Sequence, residues 1–218
     1  MKTGILGGTF NPVHLGHILL ALEVREKLKL DEVLFIPTGD PPHKTSQDLS
    51  SAKDRYEMVK LAISGYPFFK ISSIEIDRKN KSYTIDTIRE LKKQRPGDSF
   101  YFIIGLDAFM EIGSWKESAG LLNLVHFIVV SRPGSRFRNL ADIPGFESAS
   151  AASLKAMDEE QIFQYEFSPG HGLSIVLLWV EPVPVSSSEI RENIRKGKIN
   201  NKFLPDQVKS YIIEKKVF

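Results

Sequence analysis

Short apolar runs alternate along this chain with longer stretches whose apolar residues recur at helical spacing. The runs at residues 5–6, 32–37, 99–104, 125–130 and 175–180 read as strands, and 68–76 reads as a further strand or strand pair. Leu19, Leu20, Leu22, Val24 and Leu28 carry the first helical pattern. Residues 52–63 carry the second, through Tyr56, Val59, Leu61, Ala62 and Ile63, with Ser50 or Ser51 as its cap. Ile85, Ile88 and Leu91 form the apolar face of a helix over 84–93. Residues 106–124 predict helix in pieces, interrupted at Gly113 and Gly120. Residues 188–195 and 205–215 predict closing helices, the second with Pro205 in its first turn.

Strands alternating with helices predict an α/β fold: a doubly wound parallel sheet flanked by helices, with a small C-terminal helical part. The 218 residues suffice for one domain with a real core, so a single domain over 1–218 is expected. Residues 135–173 are the least regular stretch and read as an insertion, part helix and part loop.

Composition narrows the function classes. Hydrophobic residues make up 42% and charged residues 26%, the balance of a globular protein. A net charge of +2 gives no argument for nucleic-acid binding, and no apolar run approaches a membrane span. Cysteine is absent, which excludes a thiolate nucleophile, a disulfide framework and a Cys-based metal site. No basic segment leads into an apolar signal core, and a cytoplasmic enzyme is expected. Oligomeric state stays open, a homo-oligomer among the options.

Candidate chemistry concentrates where the first run ends. Gly7 and Gly8 are followed by Thr9, Phe10, Asn11 and Pro12, then by His14, Leu15, Gly16 and His17 at the start of the first helix. A glycine pair lets main-chain N–H groups approach a ligand, and a helix start aims a positive dipole end at the same space. Two imidazoles three residues apart share a helical face and can donate to a charge-rich transition state. Their ordinary alternatives are surface histidines or a metal pair, and zinc would want further ligands. Gly105 and Asp107 follow the run at 99–104, and Arg132 the run at 125–130. Polar and glycine-rich residues therefore fall at the carboxyl ends of strands, where open α/β sheets bind ligands. Ser186, Ser187 and Ser188 open a late helix with Arg191. They read either as a simple N-cap or as a second phosphate grip.

The stretch GGTFNPVHLGH resembles the signature of nucleotidyltransferases related to class I aminoacyl-tRNA synthetases, which implies a Rossmann-like fold and attack on the α-phosphorus of a nucleoside triphosphate. Residues 185–191 are similar to the family's Ile-Ser-Ser-Thr-x-Ile-Arg motif, most strongly at Ser187, Ser188, Ile190 and Arg191; the Val185-Ser186 step departs from its usual Ile-Ser, and Glu189 follows one residue early if Ser186-Ser187 are aligned with the serine pair. Pro41 to Lys44, Ser82 to Thr87, Gly105 to Asp107 with Trp115, and Arg132 to Gly134 resemble the bacterial nicotinate-nucleotide adenylyltransferases.

That resemblance implies transfer of the adenylyl group of ATP to nicotinate mononucleotide, giving deamido-NAD and pyrophosphate. It implies catalytic roles for His14, His17 and Arg191. ATP would meet Gly7, Gly8, Thr9, Phe10, His17, Gly105, Asp107, Ser187, Ser188 and Arg191. The mononucleotide would meet Thr9, Lys44, Tyr83, Thr84, Trp115 and Arg132. Mg2+ would ride on the ATP phosphates, with no protein metal site. Nicotinamide mononucleotide or phosphopantetheine as acceptor, or a non-catalytic nucleotide sensor, are the alternatives.

Overall fold

The computed structural model describes residues 1–39, 49–78, 81–170, 172–199 and 202–218. Its strands are β1 (Lys2–Gly8), β2 (Glu32–Pro37), β3 (Phe69–Ile71), β4 (Ser99–Gly105), β5 (His126–Val130), β6 (Gln164–Phe167) and β7 (Ile175–Leu178). They form a seven-stranded sheet in the order β3-β2-β1-β4-β5-β7-β6. Pairs β2/β3, β4/β5 and β5/β7 are parallel, and only β6 among these pairings runs antiparallel to its neighbour β7. The helices are α1 (Leu15–Leu28), α2 (Ala52–Ile63), α3 (Thr84–Gln94), α4 (Leu106–Phe109), α5 (Ser118–Leu122), α6 (Ala151–Asp158), α7 (Ser187–Arg195) and α8 (Asp206–Lys215). This is the doubly wound α/β architecture the alternation predicts.

The chain divides into two compact units. One comprises Met1–Ile5 and Tyr83–Pro182, the other Leu6–Ser82 and Val183–Phe218. In the first, β5 and β7 are apolar along their length and buried but for His126, as expected of parallel strands covered on both faces. Phe109 of α4 packs on Phe127 with ring centroids 5.3 Å apart, and Ile85, Ile88 and Leu91 are the buried face of α3. In the second, all six residues of β2 are buried, with Ile18, Ala21 and Val24 of α1 and Met58, Val59 and Ala62 of α2 in the same core.

Four elements differ from the sequence reading. The strand expected over 68–76 stops at Ile71: Ser72 N–H still bonds Phe35 O of β2, but Ser73 and Asp77 then close a turn, their side chains 2.6 Å apart. Gly113 and Gly120 lie inside a 3-10 turn (Ile112–Ser114) and α5, so neither is the break; the chain turns instead at Glu117, whose φ is 51°. Residues 135–173 contain α6 and also β6, an edge strand the reading lacks. Pro205 caps α8 rather than standing in its first turn. Among the described residues no helix is long and apolar enough to cross a membrane.

Candidate active site

In the second unit, β1 ends at Gly8 and the chain turns through Thr9, Phe10, Asn11 and Pro12 before α1 begins at Leu15. Three carbonyls of that turn are taken up by donors from distant segments. Arg55 Nη1 donates to Thr9 O, Arg191 Nη1 to Asn11 O and Ser187 Oγ to Pro12 O, each at 2.9 Å. The Asn11 side chain accepts from the N–H and hydroxyl of Ser50 at 3.1 and 2.6 Å. Phe10 has a φ of 48°, a left-handed conformation rare for a bulky side chain.

The glycines of the motif make room for rings. A Cβ on Gly8 would stand 3.1 Å from Phe10 Cζ, and Phe10 meets the His17 ring edge-on at 5.1 Å. A Cβ on Gly16 would stand 3.0 Å from His14 Nδ1 and 3.1 Å from Val185 Cγ1. His14, which caps α1, is thus folded over the helix's first turn. Its ring lies 3.8 Å from that of His17, centroid to centroid, and is 8% exposed.

The His14 N–H donates to His17 Nδ1 at 3.2 Å. A ring nitrogen that accepts cannot carry the proton, so neutral His17 bears it on Nε2 and is a donor there. The helix start is partly spent: Leu15 N–H goes to Phe203 O and His17 N–H to His14 O. No acidic residue stands in the first turn of α1, so its positive end carries no side-chain carboxylate.

Helix α7 resolves the serine run. Ser186 is the N-cap, accepting from Glu189 N–H at 3.1 Å. Ser187 is committed to Pro12, and the exposed Ser188 accepts from Arg191 Nη2 at 3.3 Å. Arg191 Nε is buried and has no hydrogen-bond partner among the described residues.

In the first unit, Tyr83 caps α3 and Thr84 is its first residue, so Thr84 is not the cap. Trp115 is half-buried, with an edge-to-face contact to Phe102 at 6.2 Å. The residues after Trp115 are tied to α3. Lys116 pairs with Asp86 at 2.9 Å and lies over the Tyr83 ring at 4.7 Å, while Glu117 takes both Arg89 nitrogens at 3.1 and 2.5 Å. The Arg89 hydrogen bond holds the Glu117 carboxyl below its ordinary range. Gly105 caps α4, Asp107 lies in that helix's first turn, and Arg132 Nε stands 3.8 Å from Asp107 Oδ1.

The structure therefore brings Gly8, Thr9, Phe10, His14, His17, Ser187, Ser188 and Arg191 together within one unit, and Gly7 is the next-to-last residue of β1 beside them. It groups Tyr83 and Thr84 with the residues after Trp115, and Asp107 with Arg132, within the other. Lys44 lies outside the described residues. The sequence reading missed Arg55 and Ser50, the supports of the turn. The signal was available: Arg55 occupies the stripe of Met58, Val59 and Ala62, where an apolar residue is expected. Among the described residues no group of three or more His, Asp or Glu could hold a metal ion.

A mostly parallel doubly wound sheet carrying paired histidines and a distant arginine on its first turn defines an α/β protein with a cluster of donors suited to phosphate. The model of the cytidylyltransferase-like family matches residues 5–193, and the chain belongs to that family. It is 40% identical over 218 residues to a protein of Geobacter metallireducens named "Probable nicotinate-nucleotide adenylyltransferase", spanning all of this chain and 98% of that one. A protein of the same name from Geotalea daltonii is 43% identical, with the same coverage. Among solved structures, the fold is similar to Plasmodium falciparum nicotinic acid mononucleotide adenylyltransferase complexed with NaAD. That match has a TM-score of 0.71 at 19% identity and covers 100% of this chain and 97% of that one. The same enzyme complexed with APC matches with a TM-score of 0.67.

Proposed function

We propose that this chain transfers the adenylyl group of ATP to nicotinate mononucleotide, a step of NAD biosynthesis, releasing pyrophosphate and forming deamido-NAD. The observation that carries the reading is one turn on which two imidazoles and a guanidinium converge. It stands in a chain whose relatives, 40 and 43% identical over its whole length, are named for this reaction. The reading keeps 1–218 as one nucleotidyltransferase domain with 135–173 as an insertion. The family match across 5–193 runs through both units and supports this.

A phosphate oxygen of the mononucleotide attacks the α-phosphorus in line. A P–O bond forms there as the bond to the bridging oxygen of pyrophosphate breaks. The nucleophile is already an anion at neutral pH, so neither a general base nor a covalent residue is needed. Catalysis is positioning and charge stabilisation. His17 would donate from Nε2 to the α-phosphate oxygens, with His14 and Arg191 facing the departing charge. Gly7, Gly8, Thr9 and Phe10 would shape the triphosphate turn, with Ser188 beside Arg191. Gly105, Asp107 and Arg132 would take the adenosine side and the mouth.

At the mononucleotide, Thr84 would meet the pyridine carboxylate. It is the first residue of α3, where main-chain N–H groups lack intrahelical partners, and Lys116 neutralises Asp86 in the same turn. Trp115 would stack on the ring, Tyr83 would flank it, and Lys44 would add charge at a phosphate.

Mg2+ fits this donor set in one way only. Imidazole, hydroxyl and guanidinium donors suit phosphate oxygens rather than a cation, so the ion would be held by the triphosphate and would neutralise its charge. Such an enzyme would work in the cytoplasm on small-molecule substrates.

The test is initial-rate pyrophosphate release with Mg2+ and ATP, comparing nicotinate with nicotinamide mononucleotide. A strong preference for the acid is expected. Equal rates would remove the Thr84 assignment, and silence with both would move the acceptor elsewhere, phosphopantetheine first.

A further inference from the structure

Among the described residues Arg55 is the largest fully buried side chain, 2% exposed on a helix whose other buried positions are apolar. Its guanidinium donates to main-chain carbonyls of three separate segments: Thr9 O at 2.9 Å, Gly39 O at 3.0 Å and Ser50 O at 3.3 Å. Burial pushes the group below its ordinary value, with Glu75 acting in the opposite direction. Burying a charge is costly, and an apolar residue of similar volume often serves stability as well. Stability alone is therefore a weak reason for an arginine here.

We infer that Arg55 is a positioning residue for adenylyl transfer, setting from inside the unit the peptide plane between Thr9 and Phe10 in the triphosphate turn. This rests on the reading that the turn takes the triphosphate. The peptide unit is planar and trans, so drawing the Thr9 carbonyl toward α2 turns the Phe10 N–H to the opposite side. Phe10 has the left-handed φ of 48°, a strained conformation that persists only where the surroundings over-determine it. Its flanks supply that determination. Arg55 fixes Thr9 on one side, and Ser50 fixes Asn11 on the other. The two supports are joined, since Ser50 O also accepts from Arg55 Nε.

Arg55→Met and Arg55→Lys are to be compared with the wild type in pyrophosphate release, alongside melting temperature and circular dichroism. A small misplacement in an active site costs about 100-fold, and that loss in kcat is expected for folded Arg55→Met, with the KM for mononucleotide within about 3-fold. Lysine keeps the charge without the fork, so Arg55→Lys is expected to remain at least about 10-fold slow. Near-normal kcat in either folded variant, with only a lowered melting temperature, overturns the inference. Should neither fold, Ser50→Ala removes one support of Asn11 and leaves Arg55 in place. A kcat fall of about 5-fold is then expected, the size of one lost hydrogen bond, and an unchanged kcat overturns the inference. A wild type silent with every mononucleotide is a different result, and it refutes the substrate reading instead.

Discussion

Arg191 donates through Nη1 to the main-chain carbonyl of Asn11 at 2.9 Å, across 180 residues of sequence. Its Nη2 reaches Ser188 on its own helix, and its Nε is buried without a partner among the described residues. The side chain is thus a strut for the first turn that still keeps N–H donors beyond these two bonds. Ser187 on the same helix holds Pro12, one residue beyond. Helix α7 therefore completes the turn that β1 begins, which explains why two motifs at opposite ends of the sequence belong to one site.

Replacing Arg191 should separate charge from shape. Lysine preserves the charge but cannot hold Asn11 O and face a phosphate at once. Arg191→Lys is expected to lose about 100-fold in kcat/KM for ATP, comparable to removing one preorganised donor. Steady-state kinetics with ATP varied is the check. Activity within about 3-fold of wild type would limit Arg191 to a generic positive charge.

His17→Ala removes a donor whose tautomer the His14 N–H fixes. Turnover is expected to fall about 100- to 1000-fold, by analogy with loss of one oxyanion donor, with the circular dichroism spectrum retained. Near-normal turnover in a folded variant would refute the role at the α-phosphate.

Gly16→Ala opposes two effects. Alanine in a helix is worth about 1 kcal/mol over glycine. The new methyl, however, stands 3.0 Å from His14 Nδ1 and 3.1 Å from Val185 Cγ1, so the His14 ring must shift. The expected outcome is a melting temperature near or above that of wild type with kcat at least about 10-fold lower, since angstrom-scale misplacement is costly. Unchanged kcat would mean that the position of His14 does not matter to the chemistry.

Much of this fold is legible in the residues. The bounds of β2 and α2 coincide with their apolar patterns, because β2 is buried on both faces and α2 has a serine cap at Ser51. The motif around His14 and His17 is equally plain, since it concentrates rare residue types at one strand end. Other features lack a local signature. Strand β6 carries Gln164, Tyr165 and Glu166, and only Phe167 is buried, so its pairing with β7 comes from tertiary context. The role of Arg55 depends on carbonyls at Thr9 and Gly39, which no side-chain pattern records. Ser186 and Ser187 read alike in sequence, and only the geometry assigns one to the cap and the other to Pro12.

Tyr211 gives a pH test of the packing between α2 and α8. Its hydroxyl donates to Asp54 Oδ1 at 2.9 Å. Burial and then the Asp54 bond push its pKa up from 10.0 to about 12. A pKa raised in the folded state means that the protonated phenol stabilises the fold. That contribution is whole below pH 10 and is lost as pH rises through about 12. Urea midpoints of the wild type should fall more steeply across this window than those of Tyr211→Phe. Parallel curves would show that the phenol ionises alike in both states.

Trp115 tests the mononucleotide side independently of the phosphate turn. Its ring is half-buried, and its described ring contact is edge-to-face with Phe102. The neighbouring residues Lys116 and Glu117 are fastened to Asp86 and Arg89 on α3, so the chain at this ring is held on both of the following residues. Stacking a ring on an aromatic side chain is worth about 1–3 kcal/mol, so Trp115→Ala should raise the KM for nicotinate mononucleotide about 10-fold or more. The KM for ATP should stay within about 2-fold and kcat within about 3-fold, because no phosphate contact is altered. Trp115→Phe should recover most of the loss, since a smaller ring still stacks. A variant with a lowered melting temperature and unchanged KM values would instead make Trp115 a packing residue, and the ring-binding assignment would fall while the roles of His17 and Arg191 stood.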